Sequence, residues 1–260
     1  MSSSALLELL LDAAIEAGKA ICAVYSGAFD VRRKADESPV TAADHAAEAI
    51  VLDHLARGAQ GVPVVAEEEA AAGRIPAIGE RFFLVDPLDG TKEFVARRGE
   101  FTVNIALVES GVPVLGVVYA PASSQLYAGD LAAGLAFRSA QEPETTRRAP
   151  RESIRTRQPP PDGLTAVASR SHRTPETDEY LKRAGVARTV SIGSSLKFCL
   201  VACGEADVYP RFGPTMEWDT AAGHAVLAAA GGSVRTLDGE PLRYGKSGFR
   251  NPSFIASGRP

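Results

Sequence analysis

Three cysteines in 260 residues are too few and too oddly numbered for a disulfide framework. Cys199 and Cys203 stand one helical turn apart and Cys22 is remote, which reads as core thiols in a reducing compartment. Basic charge is not in excess either. The 28 Lys and Arg against 32 Asp and Glu leave a formal net charge of −4, and nothing resembles a basic stripe, so a nucleic-acid polymer is excluded as partner while a small anion is not. A long uncharged apolar run is also missing. The leucine-rich start carries Glu8 and Asp12 and has no basic leader, which fits neither a signal peptide nor a membrane helix, and the expectation is a cytoplasmic protein. No internal repeat is apparent. What is there is an ordinary globular composition, 45% hydrophobic and 23% charged, long enough for one large domain or two small ones.

The stretch 80–94 organises the rest. An apolar, partly β-branched run over residues 81–85 reads as a buried strand, and Pro87 and Gly90 forbid its continuation, so a turn begins at Asp86. Asp86 and Asp89 can converge on one point from such a turn, and the Leu88 carbonyl can join them. A set of hard oxygens suits Mg²⁺. Thr91 adds a hydroxyl directly after the flexible Gly90. Asp-x-x-Asp-Gly turns are also common on surfaces, so this stretch alone leaves both readings open.

Taken in order, the chain starts with a helix from a Ser4 cap to about Gly27, then a second helix from Thr41, where Thr41 and Asp44 match a capping box. A short strand over 62–65 runs into Glu67, Glu68 and Glu69, which by themselves read as the acidic start of a surface helix. Strands follow over 102–108, 114–119, 126–127 and 135–138, and 139–163 is a polar connection. The remainder alternates: strands over 164–169, 186–192 and 206–209, helices over 175–184, 194–204 and 219–230, then two last strands. Asp219 precedes the last of these helices and reads locally as its N-cap. Residues 1–155 are therefore expected to form an α+β unit on a large antiparallel sheet, and 156–260 an α/β unit that completes the site.

Glu67-Glu68, then Asp86-Pro87-Leu88-Asp89-Gly90-Thr91, then Trp218-Asp219-Thr220-Ala221-Ala222-Gly223 occur in this order, and through them nearly the whole chain resembles the lithium-sensitive, Mg²⁺-dependent phosphatase superfamily that includes inositol monophosphatase and fructose-1,6-bisphosphatase. The resemblance implies a layered α+β or α/β sandwich of alternating helix and sheet layers. It implies two or three Mg²⁺ ions held by Glu67, Asp86, Asp89, Asp219 and the Leu88 carbonyl. The run of glutamates leaves two registers, with Glu67 as ligand and Glu68 second, assigned to catalysis. Thr91, polarised by Asp44, would orient and help deprotonate the attacking water, without a phosphoenzyme.

Other phosphate chemistries fit less well. Pro87 stands where an aspartyl nucleophile would be in a haloacid-dehalogenase motif, no cysteine has the spacing to arginine of a thiol phosphatase, and 239–247 has one residue too many for a phosphate-binding P-loop.

Thr91-Lys92-Glu93-Phe94, Gly193-Ser194-Ser195-Leu196-Lys197 and the stretch through Arg211 are similar to the bacterial 3′(2′),5′-bisphosphate nucleotidase branch. Gly193, Ser194 and Ser195 at a helix start, with Lys197 one turn in, can bind an anion, though a plain serine cap is an equal local reading. The resemblance adds Gly90, Thr91, Lys92 and Arg211 to the substrate site, and Ser169, Arg170 and His172 as donors near a ribose and a second phosphate. His45, His54 and His224 are assigned packing or surface roles.

The resemblance thus implies hydrolysis of the 3′-phosphate of 3′-phosphoadenosine 5′-phosphate in sulfur assimilation. The alternatives are an inositol monophosphatase or promiscuous sugar or inositol phosphate phosphatase, and a catalytically silent nucleotide-binding regulator. Monomer or homodimer, and peripheral contact with the cytoplasmic face of the inner membrane, are left open.

Overall fold

The apolar stripe of the N-terminus forms α1 (Ser3–Ser26), which buries Leu6, Leu7, Leu10, Leu11, Ala14 and Ile21 along one face. Its cap is Ser2, whose hydroxyl accepts the Ala5 amide at 3.2 Å, two residues ahead of the expected Ser4. The structure is a computed structural model that describes residues 2–33, 39–145, 147–169 and 174–259. A short antiparallel pair, β1 (Val31–Arg33) and β2 (Pro39–Thr41), leads into α2 (Ala42–Gly58), which packs against α1. Then come β3 (Val64–Ala66), α3 (Glu67–Ala71), β4 (Arg81–Asp89), α4 (Thr91–Val95), β5 (Thr102–Glu109), β6 (Val112–Ala120), β7 (Gln125–Asp130), β8 (Leu135–Ala140) and β9 (Glu152–Ser153).

These strands make one seven-stranded sheet in sequence order from β3 to β9, antiparallel except for the parallel pair β3 and β4. The stretch expected as mere connection is tied down: β9 pairs with β8, while Arg148 and Arg151 reach back to Asp12 and Glu8 of α1.

The second half supplies β10 (Leu164–Ser169), α5 (Pro175–Arg183), β11 (Val186–Ile192), α6 (Leu196–Ala202), β12 (Val208–Arg211), α7 (Ala221–Ala229), β13 (Ser233–Thr236) and β14 (Phe254–Ser257). Its five-stranded sheet runs β11-β10-β12-β14-β13 and is mixed. Alternation along β4 shows how the layers stack. Phe83 and Val85 pack toward α1 and α2, whereas Phe82 and Leu84 join a second core with Phe198 of α6, Ala222 of α7 and Phe254 of the smaller sheet. The result is a layered α+β sandwich with α6 and α7 between the sheets and α5 against the outer face of the smaller one. All three cysteines are free. Among the described residues, no helix is long and apolar enough to cross a membrane.

Candidate active site

Parallel pairing puts two carboxylates side by side. The ladder between β3 and β4 ends with Ala66 opposite Val85, so the next residue of each strand, Glu67 and Asp86, stands at the same end of that ladder. β4 does not stop at Asp86 as expected from Pro87; it continues to Asp89 through a bulge. Asp86 faces Asn104 and Asp89 faces Thr102, so Pro87 and Leu88 together oppose the single Val103. That extra residue has a consequence for chemistry. In a regular strand residues three apart face opposite sides, but here the bulge restores even parity and brings both aspartates to one side. The Leu88 amide donates to Asp86 Oδ1 at 3.0 Å and rigidifies the turn. Gly90 then takes φ 95°, and a Cβ there would come within 2.9 Å of the Glu100 carbonyl oxygen, which leaves glycine as the residue that fits.

Asp219 arrives from the other layer. α7 lies against the large sheet at Gly116 of β6, where a Cβ would sit 2.4 Å from the Ala222 carbonyl oxygen. Small residues on both sides thus let the helix approach and carry its leading loop to the end of β4. Thr220, not Asp219, holds the N-cap position. Asp219 Oδ2 instead accepts the Met216 amide behind it at 2.8 Å, and its carboxylate joins those of Glu67 and Asp86, one oxygen from each lying within 4.8 Å of the others. Burial, reinforced by the neighbouring carboxylates, raises the carboxyls of Asp86 and Asp219 well above the ordinary range. Burial likewise raises Asp89 to about 6, opposed by the nearby Lys197 ammonium.

Asp44 serves two partners. Its Oδ2 accepts the amide and the hydroxyl of Thr41, each at 2.8 Å, which completes the capping box of α2. Its Oδ1 lies 3.4 Å from the Thr91 hydroxyl, which also lies 3.3 Å from the Leu88 carbonyl. The local cap and the expected site contact are therefore the same carboxylate.

The facing wall comes from the start of α6. Lys197 Nζ is buried, donates to the Ile192 carbonyl at 3.5 Å and to the Ser194 carbonyl, and sits 5.4 Å from the Tyr209 ring centre. Burial lowers its pKa to about 8 against the pull of Asp89. Together these groups line a cavity of about 250 Å³ shared by the acidic Glu67, Asp86, Asp89 and Asp219 and the cationic Lys92, Lys197 and Arg211, with Lys197 acting on Asp89 and Arg211 on Asp219.

The sequence model of the inositol monophosphatase family matches residues 3–258. The chain belongs to the inositol monophosphatase family. It is 49% identical over 255 residues to the 3′(2′),5′-bisphosphate nucleotidase CysQ of Escherichia coli K12, covering 97% of this chain and 99% of that protein. Among solved structures, CysQ from Bacteroides thetaiotaomicron, a bacterial member of the same family, superimposes with a TM-score of 0.81 at 41% identity, over 98% of this chain and 97% of the other. The inositol monophosphatase from Anabaena gives a TM-score of 0.74 at 28% identity, over 97% of this chain and 90% of that one.

Enzymes of the inositol monophosphatase family are metal-dependent, and the cluster fits a hard divalent cation: its donors are all oxygens, and the repulsion among its crowded carboxylates is what such an ion would relieve. The cavity brings together Glu67, Asp86, Leu88, Asp89, Gly90, Thr91, Lys92, Ser169, Gly193, Ser194, Ser195, Lys197, Arg211 and Asp219, with Asp44 just behind Thr91.

Glu68 is the exception. It is buried and does not line the cavity, whereas Glu67 lines it and joins the acidic cluster. Two serine and arginine side chains are also engaged otherwise than expected. Ser195 Oγ donates to Asn104 Oδ1 at 2.6 Å and lies 2.9 Å from Thr102 Oγ1, leaving its amide, directed at Asp89, as its contribution to the cavity. Arg211 donates to the carbonyls of Gly213 and Pro214 and so shapes the loop beneath it. Arg170 and His172 lie outside the described residues.

Sequence reasoning passed over Glu93, which lines the cavity, and Glu48, Asn104 and Tyr209, which support it. Only Glu48 carried a readable signal, because it stands four residues after Asp44 on the same helix.

Proposed function

We propose that this protein removes the 3′-phosphate from 3′-phosphoadenosine 5′-phosphate, giving AMP and inorganic phosphate, with Mg²⁺ as the metal. The observation that carries the reading is one cavity lined both by the converging carboxylates of Glu67, Asp86 and Asp219 and by the cationic Lys92, Lys197 and Arg211, in a chain similar over 97% of its length to a 3′(2′),5′-bisphosphate nucleotidase. A substrate with two phosphates matches a site that offers both a carboxylate cluster fit for a divalent cation and several cationic side chains.

Glu67, Asp86, Asp89, Asp219 and the Leu88 carbonyl are the groups that would hold two or three Mg²⁺ ions, and Mg²⁺ there supplies Lewis-acid stabilisation of the charge developing on the phosphoryl oxygens. The rest falls to the chain. Thr91 Oγ1 accepts a hydrogen bond from the attacking water and, by donating its own proton to Asp44 Oδ1, is oriented to take the water's proton as the oxygen approaches phosphorus. The P–O3′ bond breaks as the new P–O bond forms, and the departing 3′-oxygen takes a proton from solvent water to leave as the 3′-hydroxyl of AMP. Lys197 and Lys92 attract the second phosphate and so select bisphosphates over monophosphates. The rigid turn at 86–90 holds the ligands in register through the reaction.

Phosphate release from 3′-phosphoadenosine 5′-phosphate and from inositol 1-phosphate, measured side by side with Mg²⁺, with a chelator and with added Li⁺, tests this. Preference for the nucleotide, lost on chelation and inhibited by lithium, is expected. Preference for inositol 1-phosphate would move the assignment to the other branch of the family, and inactivity on every phosphorylated substrate would point to a silent regulator.

A further inference from the structure

Glu67 is the first residue beyond a sheet ladder, since pairing of β3 with β4 ends at Ala66 and Val85. Something else must fix its direction. The start of α3 has no side-chain cap of its own: the residue before it is Ala66, which cannot accept a hydrogen bond through its side chain. The acceptor comes instead from another element. Glu48 of α2 receives the Glu68 amide on Oε2 at 2.8 Å and the Glu69 amide on Oε1 at 3.1 Å.

Glu48 is 4% exposed, and it is brought against two further glutamates, Glu68 and Glu69, which repel it. Burying a carboxylate in acidic company costs free energy that the two amide hydrogen bonds only partly offset. A serine or aspartate at position 66 would cap α3 with less burial. What it would not do is tie α3 to α2. Glu48 and Asp44 are four residues apart, so they lie on one face of α2, with Cβ atoms about 6 Å apart. Asp44 holds Thr91 and Glu48 holds the two amides that follow Glu67. One helix therefore sets the spacing between the hydroxyl that orients water and the strand-end carboxylate of the acidic cluster.

We infer that Glu48 is a positioning residue for metal binding: by gripping the amides of Glu68 and Glu69 it aims Glu67 at Asp86 and Asp219. The inference rests on the metal-dependent reading of the cluster and adds a residue outside the cavity to it.

The test is calorimetric titration of the purified protein with Mg²⁺ alone, without substrate, for the native chain, Glu48→Ala and Glu48→Gln, alongside thermal unfolding of each in chelator. Glu48→Ala is expected to weaken Mg²⁺ binding about 10-fold, the lower end of what outer-shell partners contribute. Glu48→Gln keeps one acceptor oxygen for the Glu68 amide and should fall between the two. Turnover at saturating Mg²⁺ should stay within about 3-fold of native, because Glu48 touches neither substrate nor water. If both variants melt earlier but bind Mg²⁺ with native affinity, Glu48 is structural only and the inference is wrong. If Glu48→Ala does not fold, Glu48→Gln decides alone: native affinity overturns the inference and weakened affinity supports it. Failure of the native chain to bind Mg²⁺ would bring down the metal reading itself, a result distinct from native binding that Glu48 does not influence.

Discussion

Asp44 and Thr91, distant in sequence, meet at 3.4 Å through a carboxylate whose other oxygen is already committed to the first turn of α2. Because Oδ2 is held by Thr41, Oδ1 has little freedom, and the Thr91 hydroxyl meets an acceptor in a set direction. Helix capping thereby fixes the direction of the pair proposed to take up the water's proton.

Thr91→Val keeps shape and removes the hydroxyl, so turnover should fall by about 10²–10⁴-fold, the usual contribution of a positioned acid–base group. Asp44→Asn should lose comparable activity while keeping most of its stability, since Asn retains an acceptor oxygen for the capping box. Steady-state kinetics paired with thermal melts check both, and near-native turnover in either variant would remove the pair from the mechanism.

Metal-free protein should lose stability as pH rises. Asp89 ionises at about 6 in the folded state against an ordinary value of 3.8, so the folded chain binds the extra proton between these values. Stability is full below about pH 4, declines as pH climbs through about 6, and the loss for this one group is about 3 kcal/mol. Asp86 and Asp219, raised further, extend the decline upward. Melts in chelator from pH 4 to pH 8 should show it, added Mg²⁺ should reverse it, and Asp89→Asn should make it shallower while abolishing turnover. A pH-independent melt would contradict the crowding of these carboxylates.

Ser195→Ala separates a strut from a ligand. Removing the hydroxyl leaves Asn104 Oδ1 without its 2.6 Å donor in a buried setting, for a loss of about 1–3 kcal/mol. KM for the nucleotide should change less than in Lys197→Met, because only the Ser195 amide faces the cavity. A large KM increase with unchanged stability would return the hydroxyl to substrate binding.

Gly116→Ala should do damage far from the cavity. The new methyl would lie 2.4 Å from the Ala222 carbonyl oxygen and 2.7 Å from Ala225 Cβ, forcing α7 off the sheet at a cost of about 1–3 kcal/mol. Since α7 follows Asp219, Mg²⁺ affinity should fall with stability. Melts and metal titration on the same sample measure both.

Much of this was legible in the chain itself. Apolar spacing gave α1 and α2 within a few residues, β-rich runs separated by turn residues gave the hairpins of β5 to β8, and the carboxylates Glu67 and Asp86 at the ends of apolar runs marked the region of the cavity, because each signal is local. The start of α1 was misread since Ser2 and Ser4 are chemically equal caps, and packing alone chose between them. Glu68 was retained beside Glu67 because sequence neighbours share composition but not direction: Glu67 lines the cavity, whereas Glu68 is buried and does not line it.

By itself, then, the sequence determined which groups were available: carboxylates after apolar runs, a threonine directly after a glycine, a lysine one turn into a helix. Tertiary structure alone decided how they were used. The bulge at Pro87 turned Asp86 and Asp89 to one side, the contact at Gly116 brought Asp219 up to them, and partners far along the chain claimed the side chains of Ser195 and Glu48. The reason is physical. Residue type sets what a group can donate, accept or ligate, but direction and competition for partners arise from packing between segments, and those depend on registers that no local pattern encodes.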